Sequence, residues 1–208
     1  MANQVSQLKA VLGTLEYLNS NSIKIKKLIR NTRRSVSKSK TKNVILQMEH
    51  VADGIKELSL HSLKTNKDSL ITVTNFHTKV EILLESTMPA WFLIPKTNAE
   101  LVALLQKNWI DYKNYEPVLK EVIYQYQIIS NEKKQIEDRE VNIPNVNKKK
   151  YLLTDKENYL YVPLNQLHSK MLMLMFEPQS MLNILQYTQY SFWLADNSLY
   201  PILRVERN

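Results

Sequence analysis

Residues 4–37 set the expected fold, and they read QVSQLKAVLGTLEYLNSNSIKIKKLIRNTRRSVS. Apolar residues recur there at alternating spacings of three and four, which places them on one stripe of a helix. Seven of the nine stripe positions are aliphatic, and the two seams are Leu8, Leu15, Ser22, Ile29, Val36 and Val11, Leu18, Ile25, Thr32. The spacing predicts one helix from about residue 4 to about residue 37, with a weak point at residues 19–22, where a serine suits the cap of a second helix.

The same end of the chain holds the whole positive balance of the protein. Residues 1–42 carry ten lysines and arginines against one acid, Glu16, a balance of +9, whereas the other 166 residues carry 18 cations and 19 acids. No acid lies between Tyr17 and Met48. A helix charged only for solubility normally interleaves Glu with Lys, so this concentration indicates attraction to a polyanion.

The cations lie off the apolar stripe, and we therefore predict a two-faced helix that packs on protein with one side and is positive on the other. The candidate nucleic-acid-binding residues are Lys24, Lys26, Lys27, Arg30, Arg33, Arg34, Lys38, Lys40 and Lys42. The sequence contains no helix-turn-helix, zinc-finger or RRM signature, so contacts with the phosphate backbone, independent of base sequence, are expected. The alternatives for these residues are a solvated face, docking on an acidic protein, a nuclear localisation signal or an anionic membrane surface.

Composition favours helices over strands. The 208 residues are 44% hydrophobic and 23% charged, with two glycines and no cysteine. Tight hairpins and phosphate loops usually use glycine where the backbone takes a positive φ. We therefore predict an all-α protein, mainly a helical bundle with a long N-terminal amphipathic basic helix, and minor extended or β segments in the last 58 residues.

Four segments follow from the changes in pattern along the chain. Residues 1–42 form the basic amphipathic helical arm, and residues 43–141 form the helical bundle core. Residues 142–150, which read NIPNVNKKK, predict a linker or loop. Residues 151–208 are expected to be a C-terminal helical and extended region that packs on the core or on a neighbouring subunit.

Periodicity also predicts the elements inside these segments. The stripe that begins with Val44, Met48 and Val51 indicates one or two helices up to about residue 86. Thr97 or Asn98 caps the next predicted helix. The remaining predicted elements are helices over about 117–140 and 171–190, and extended segments over 159–164 and 199–205.

One row of acids and a histidine has metal-ligand chemistry: Glu49, Asp53, Glu57 and His61 recur every four residues. Carboxylate-bridged metals in helical bundles normally use Glu-x-x-His on two helices, and that motif does not occur in this chain. We favour the acidic outer face of a helix for this row and predict no metal site.

The sequence also lacks the common catalytic and nucleotide motifs. Gly-x-Ser-x-Gly, Gly-x-x-x-x-Gly-Lys and Gly-x-Gly-x-x-Gly do not occur, and the four histidines are scattered. We therefore predict a protein that is not an enzyme and has no cofactor.

Large and flexible apolar residues are concentrated in the last third of the chain. They are Met171, Met173, Met175, Phe176, Met181, Tyr187, Tyr190, Phe192 and Trp193. Such residues form cores by default, and they are also enriched at subunit interfaces.

These features favour a non-enzymatic structural protein that binds nucleic acid through the basic helix and assembles with itself. In charge placement and predicted helix content, the chain resembles the helical coat and nucleocapsid proteins of filamentous viruses. The alternative is a helical scaffold subunit of a larger intracellular complex, paired with partners through coiled coils. With no signal peptide and no apolar run long enough for a membrane span, an intracellular (cytoplasmic or nuclear) or virion location is expected.

Overall fold

The computed structural model describes residues 2–38, 42–118, 120–136 and 139–207, and it is a mixed structure, 30% helical and 39% strand. The predicted all-α helical bundle, and coiled-coil pairing with it, is therefore wrong. The α-helices are α1 (Ala2–Ser20), α2 (Ser22–Ser37), α3 (Ala99–Lys107) and α4 (Ser169–Phe176). The strands are β1 (Asn43–Val51), β2 (Lys56–Ser62), β3 (Lys67–Val73), β4 (Lys79–Thr87), β5 (Trp91–Pro95), β6 (Lys113–Asn114), β7 (Glu121–Ile136), β8 (Arg139–Lys150), β9 (Tyr159–Pro163) and β10 (Leu203–Arg207).

A six-stranded antiparallel sheet organises the core, with the strand order β6-β9-β5-β10-β7-β8. Strand β10 is inserted between β5 and β7 and joins the two parts of the sheet. The extended segments predicted over 159–164 and 199–205 correspond to β9 and β10. However, β9 lies inside the sheet, between β6 and β5, rather than at its edge.

The two faces of this sheet are covered unequally. One face packs under α3, α4 and the C-terminal turns, and it contains Phe92, Val162 and Ile202 among its fully buried residues. The opposite face is a smaller cluster around Trp91, Leu93 and Val205, with half-buried tyrosines at its margin. The larger cluster is the principal core, because most of the buried aromatic and aliphatic side chains meet there.

The long hairpin β7–β8 occupies the place of the predicted helix over 117–140 and of the predicted linker over 142–150. Its register runs from Tyr124 opposite Lys150 to Ile136 opposite Arg139. The apolar residues of β7 fit a helical spacing, but β-branched and aromatic side chains dominate them, and these favour strands. The edge strand β8 carries Pro144 and three consecutive lysines, features that protect an exposed edge from pairing with another chain.

Residues 43–87, predicted as helices, form a two-stranded antiparallel ribbon that we call the β-ribbon. Strand β1 pairs with β4, and beyond them β2 pairs with β3. Asp53 N–H donates to the carbonyl of Phe76 at 2.9 Å and continues the ribbon between the two pairs. Only the base of the β-ribbon is buried, at Val44, Leu46 and Gln47.

The β-ribbon was misread because its apolar residues happen to recur every three or four positions. The hairpin turn is made by Asn66, whose φ is 51°, and the bend before β2 uses Gly54 at φ 77°. Asn and Gly are the residues that tolerate this left-handed region. Asn66 in the polar run at residues 64–67 is thus the sequence signal for the hairpin turn, within a stretch predicted as one or two helices.

The helical arm, α1 with α2, is confirmed over the predicted range, and the break falls at Asn21 in the predicted weak point. The Asn21 N–H donates to the Tyr17 carbonyl at 3.0 Å, and the Asn21 carbonyl accepts from Ile25 N–H at 2.9 Å. The two helices thus continue one hydrogen-bond ladder through the break. The expected packing of the apolar stripe is not found, because none of the described side chains of α1 or α2 is buried.

Candidate nucleic-acid interface

Helix α2 collects most of the predicted binding residues on one surface. Six of them lie within it, namely Lys24, Lys26, Lys27, Arg30, Arg33 and Arg34, and Lys38 follows as its C-cap residue. At 100° per residue these side chains occupy roughly half of the helix circumference. The stripe formed by Ile25, Ile29 and Val36 lies on the other half, so the predicted two-faced pattern of charge is present. We call the seven-cation surface the basic arc.

The basic arc is exposed, and its charges are not neutralised. All seven side chains are exposed, and among the described residues none forms an ion pair with an acid. The first turn of α2 contains no acid. The arc also contains Ile23, an apolar residue 83% exposed. A polyanion that approaches this surface therefore meets cations that form no ion pair with an acid in the described part of the chain.

The basic arc is long enough to meet several phosphates of a nucleic acid at once. Lys24 and Lys38 are 14 residues apart, which corresponds to roughly 21 Å along a helix. Duplex DNA carries about one phosphate per 1.7 Å of axis, so several phosphates fall within that length. The cations belong to no helix-turn-helix, zinc-finger or RRM signature in the sequence, and an arc of this length suits contacts with the backbone.

The other two predicted cations are placed differently. Lys40 lies outside the described residues. Lys42 is exposed and precedes β1, and its carbonyl accepts a hydrogen bond from Met88 N–H at 2.7 Å. Lys42 therefore belongs to the base of the β-ribbon, where it borders an open depression shared with Lys38 and Thr87. The structure therefore places Lys42 beside Lys38, the last cation of the basic arc, and not on α2 itself.

A buried ionic cluster fixes the base of the β-ribbon to the sheet, and the sequence analysis missed it. Arg204 of β10 is 1% exposed and pairs with Glu177, which is 2% exposed. The Arg204 guanidinium also donates to the carbonyl of Thr87, and to its Oγ1 at 3.0 Å. Tyr126 Oη donates to Glu177 Oε2 at 2.8 Å, so both oxygens of the carboxylate have a hydrogen-bond partner.

Charge and burial act in opposite directions on Arg204 and in the same direction on the tyrosines beside it. Burial lowers the pKa of Arg204, but Glu177, Tyr126 and Glu206 together outweigh burial and raise the pKa above its usual value. Burial, followed by the negative charge of Glu177, raises the pKa of both Tyr126 and Tyr200. Arg204 and Glu177 are sealed from solvent, and their contacts join β10 to the segment after α4 and to the end of β4. Its only sequence signal was an arginine among apolar residues in the segment Ile202–Val205.

The row of potential metal ligands is not assembled. Glu49 lies on β1, Asp53 lies in the bend, and Glu57 and His61 lie on β2, so the predicted single helix face does not exist. His61 faces Asp68 at 2.7 Å, and Asp53 pairs with Lys56 at 3.0 Å. Within the described ranges, no group of three or more His, Asp or Glu residues is arranged to hold a metal ion.

The methionines and aromatics of the last third are divided between core and surface. Met173, Phe176, Tyr190 and Trp193 are buried in the principal core. In contrast, half-buried methionines line an open groove between α3, α4 and the tip of the β7–β8 hairpin. These are Met171, Met175 and Met181.

Among the helices that the structure describes, none is both long and apolar enough to cross a membrane.

Comparison with family models, with curated proteins and with solved structures finds no match to this chain.

Proposed function

We propose that the protein is a non-enzymatic structural protein that binds the nucleic-acid backbone through the basic arc and assembles with itself, as coat and nucleocapsid proteins do. The observation that carries the proposal is the basic arc itself: seven exposed cations of α2 and its C-cap, none paired with a described acid. Such a surface releases condensed counterions when it meets phosphates, and that release drives binding without regard to sequence.

The distribution of charge supports nucleic acid over simple solvation. The helical arm carries eight cations and one acid within residues 2–38, whereas the rest of the chain is close to neutral. A field confined to one projecting element attracts and orients a polyanion without making the whole surface adhesive. The arm also presents its cations on a preformed helix.

A binding measurement with a matched control tests this proposal. The test variant combines Arg30→Glu, Arg33→Glu and Arg34→Glu, and the control combines Lys96→Glu, Lys107→Glu and Lys170→Glu. The control residues are exposed and lie outside the arm. Both variants lower the net charge from +8 to +2. Fluorescence anisotropy with a labelled random-sequence oligonucleotide gives the affinity of each.

Loss of three phosphate contacts at about 100 mM salt should weaken binding by roughly 10²–10³-fold. The control should change affinity far less, because its charges lie away from the arc. If both variants weaken binding equally, net charge and not the arc is responsible, and the assignment to α2 is refuted. If the wild-type protein does not bind DNA or RNA at low salt, the function itself is refuted.

The second candidate function is a scaffold subunit of a larger intracellular complex. The unburied apolar stripe of the helical arm favours it, because Ile29 is 47% exposed and Leu15 is 56% exposed. Exposed apolar surface of this extent marks a protein interaction site. A protein that does not bind nucleic acid but co-purifies in a fixed ratio with another protein would favour the scaffold.

A further inference from the structure

The β-ribbon exposes apolar side chains that this chain does not cover. In the outer pair of strands, Leu70 is 71% exposed, and Leu60 and Ile71 are nearly half exposed. In the inner pair, Met48 lies opposite Ile82, and both side chains are exposed. An isolated two-stranded ribbon is marginally stable in water unless further strands or a helix cover it.

The helical arm also exposes apolar side chains that need to be buried. The α1 side chains Leu8, Val11, Leu12, Leu15 and Leu18 are all exposed by 44% or more. They form a stripe on a helix that carries only Lys9 and Glu16 as charges. An amphipathic helix gains most of its stability from burial of such a stripe.

The accessible surface of the chain is larger than that of a compact monomer of the same mass. The surface measures 14475 Å², whereas a compact monomer of 24.4 kDa exposes only about 10,000 Å². The excess, about 4,400 Å², exceeds the roughly 800 Å² per partner of a standard interface and is ample for an obligate homodimer. The helical arm and the β-ribbon contribute to this excess, because almost none of their described side chains is buried.

The helical arm and the β-ribbon also carry net charges of opposite sign. The helical arm has a balance of +7 over residues 2–38, whereas the β-ribbon carries six acids and four lysines over residues 43–87. Glu49 lies directly opposite Glu81 in the ribbon. Like charges in that position are unfavourable unless a cation is near. A basic partner element would relieve this repulsion.

We propose that a second copy of this chain covers these surfaces: the helical arm of one copy packs its apolar stripe on the β-ribbon of the next. The inference deepens the self-assembly half of the proposed function and rests on it. Because the stripe and the basic arc lie on opposite halves of α2, cations at the margin of a packed arm face the acids of the β-ribbon, and most of the basic arc stays free for phosphate. Each copy offers one arm and one β-ribbon, so the exchange either closes into a ring or extends a filament.

The first test is the mass of the full chain in solution, measured by sedimentation at a salt concentration that removes nucleic acid. The expected result is a species larger than 24.4 kDa. The variant Leu60→Lys with Ile71→Lys should reduce it to a monomer, and the control Leu152→Lys with Leu199→Lys should not. All four leucine and isoleucine side chains are exposed, so the substitutions spare the core.

The second test identifies the contact. The chain has no cysteine, so a Leu15→Cys variant carrying a mass tag is mixed with an untagged Leu60→Cys variant and treated with a bismaleimide. A tagged–untagged product is expected from this pair and not from Leu15→Cys with Leu152→Cys. A wild-type monomer, or an oligomer that survives the Leu60→Lys and Ile71→Lys substitutions, overturns the proposal. An arm that folds back on its own ribbon leaves a monomer and has the same consequence.

Nucleic-acid binding by the basic arc and arm exchange between copies are refuted by different results. Binding of the labelled oligonucleotide by the ribbon variant reports on the basic arc alone. If this variant binds nucleic acid but the wild-type protein is a monomer, arm exchange is refuted and the basic arc is retained.

Discussion

Replacement of Arg204 by Met should destabilise the fold more than any change at the surface. Arg204 is the buried centre of the cluster that joins β10, Glu177 and the end of β4 at Thr87. Its loss leaves the Glu177 carboxylate buried and without its cation. Removal of one partner from a buried ion pair costs about 3–5 kcal/mol. For a chain of this length, that corresponds to a drop of roughly 6–20 °C in Tm.

Urea and thermal unfolding, followed by circular dichroism, measure this cost. The matched control is Arg139→Met, an exposed arginine on β8, which should change stability by no more than about 0.5 kcal/mol. Hydrogen exchange adds a local readout, because the amides of β1 and β4 should exchange faster when Arg204 no longer holds Thr87.

The double variant Arg204→Met with Glu177→Gln separates the ion pair from simple loss of packing. It should be less destabilised than Arg204→Met alone, because the uncompensated carboxylate is gone. If Arg204→Met costs about as little as Arg139→Met, the cluster does not hold the β-ribbon and the reasoning is refuted. An additive double variant would likewise refute the charge argument.

Three further predictions concern stability. Burial favours the neutral form of Glu206, but hydrogen bonds from Lys148 and then Arg204 outweigh burial and hold the pKa of Glu206 below its ordinary value. The stabilisation is therefore present above that ordinary value and is lost as pH falls through the folded-state pKa. Glu206→Gln should make the stability of the fold less dependent on pH below about pH 4.5. Asn98 Oδ1 accepts from Leu101 N–H at 2.9 Å at the start of α3, so Asn98→Ala should cost about 1 kcal/mol in urea unfolding, and Asn98→Asp should retain most of the stability. Leu172 is fully buried under the sheet, so Leu172→Ala should cost about 2–5 kcal/mol, whereas an unfolding midpoint equal to the wild type would contradict the assignment of that core.

Local signals in the sequence predict the helical arm and α3 correctly. The helical arm and its break follow from periodicity, and the cap of α3 follows from Asn98 and its acidic first turn. Such elements depend on residues within a few positions of one another, so one sequence contains the information. The basic arc was predictable for the same reason, since seven of the nine predicted binding residues fall on α2 or its C-cap.

Non-local pairing was not predictable from the same patterns. Strand β10 pairs with β5 more than 100 residues earlier, and periodicity carries no information about such a partner. In the β-ribbon, the spacing of the apolar residues predicts a helix, whereas the turn at Asn66 belongs to a hairpin. The scarcity of glycine was a misleading guide, because Asn66 supplies the left-handed conformation at the hairpin.

The Arg204 cluster was missed for a related reason. Its members come from β4, β7, β10 and the segment after α4, and only the fold brings them together. Burial of Arg204 and Glu177 makes them a pair, and burial is not visible in the spacing of charges along the chain.

The salt dependence of nucleic-acid affinity tests the central claim most directly. Affinity for a random-sequence duplex is measured at several salt concentrations, for the wild type and for the Arg30→Glu, Arg33→Glu, Arg34→Glu variant. With about six phosphates contacted by the basic arc, log affinity should fall against log salt with a slope of about −5. The variant should fall with a slope of roughly −3. A wild-type slope near zero, or a slope unchanged in the variant, would contradict phosphate binding by the basic arc.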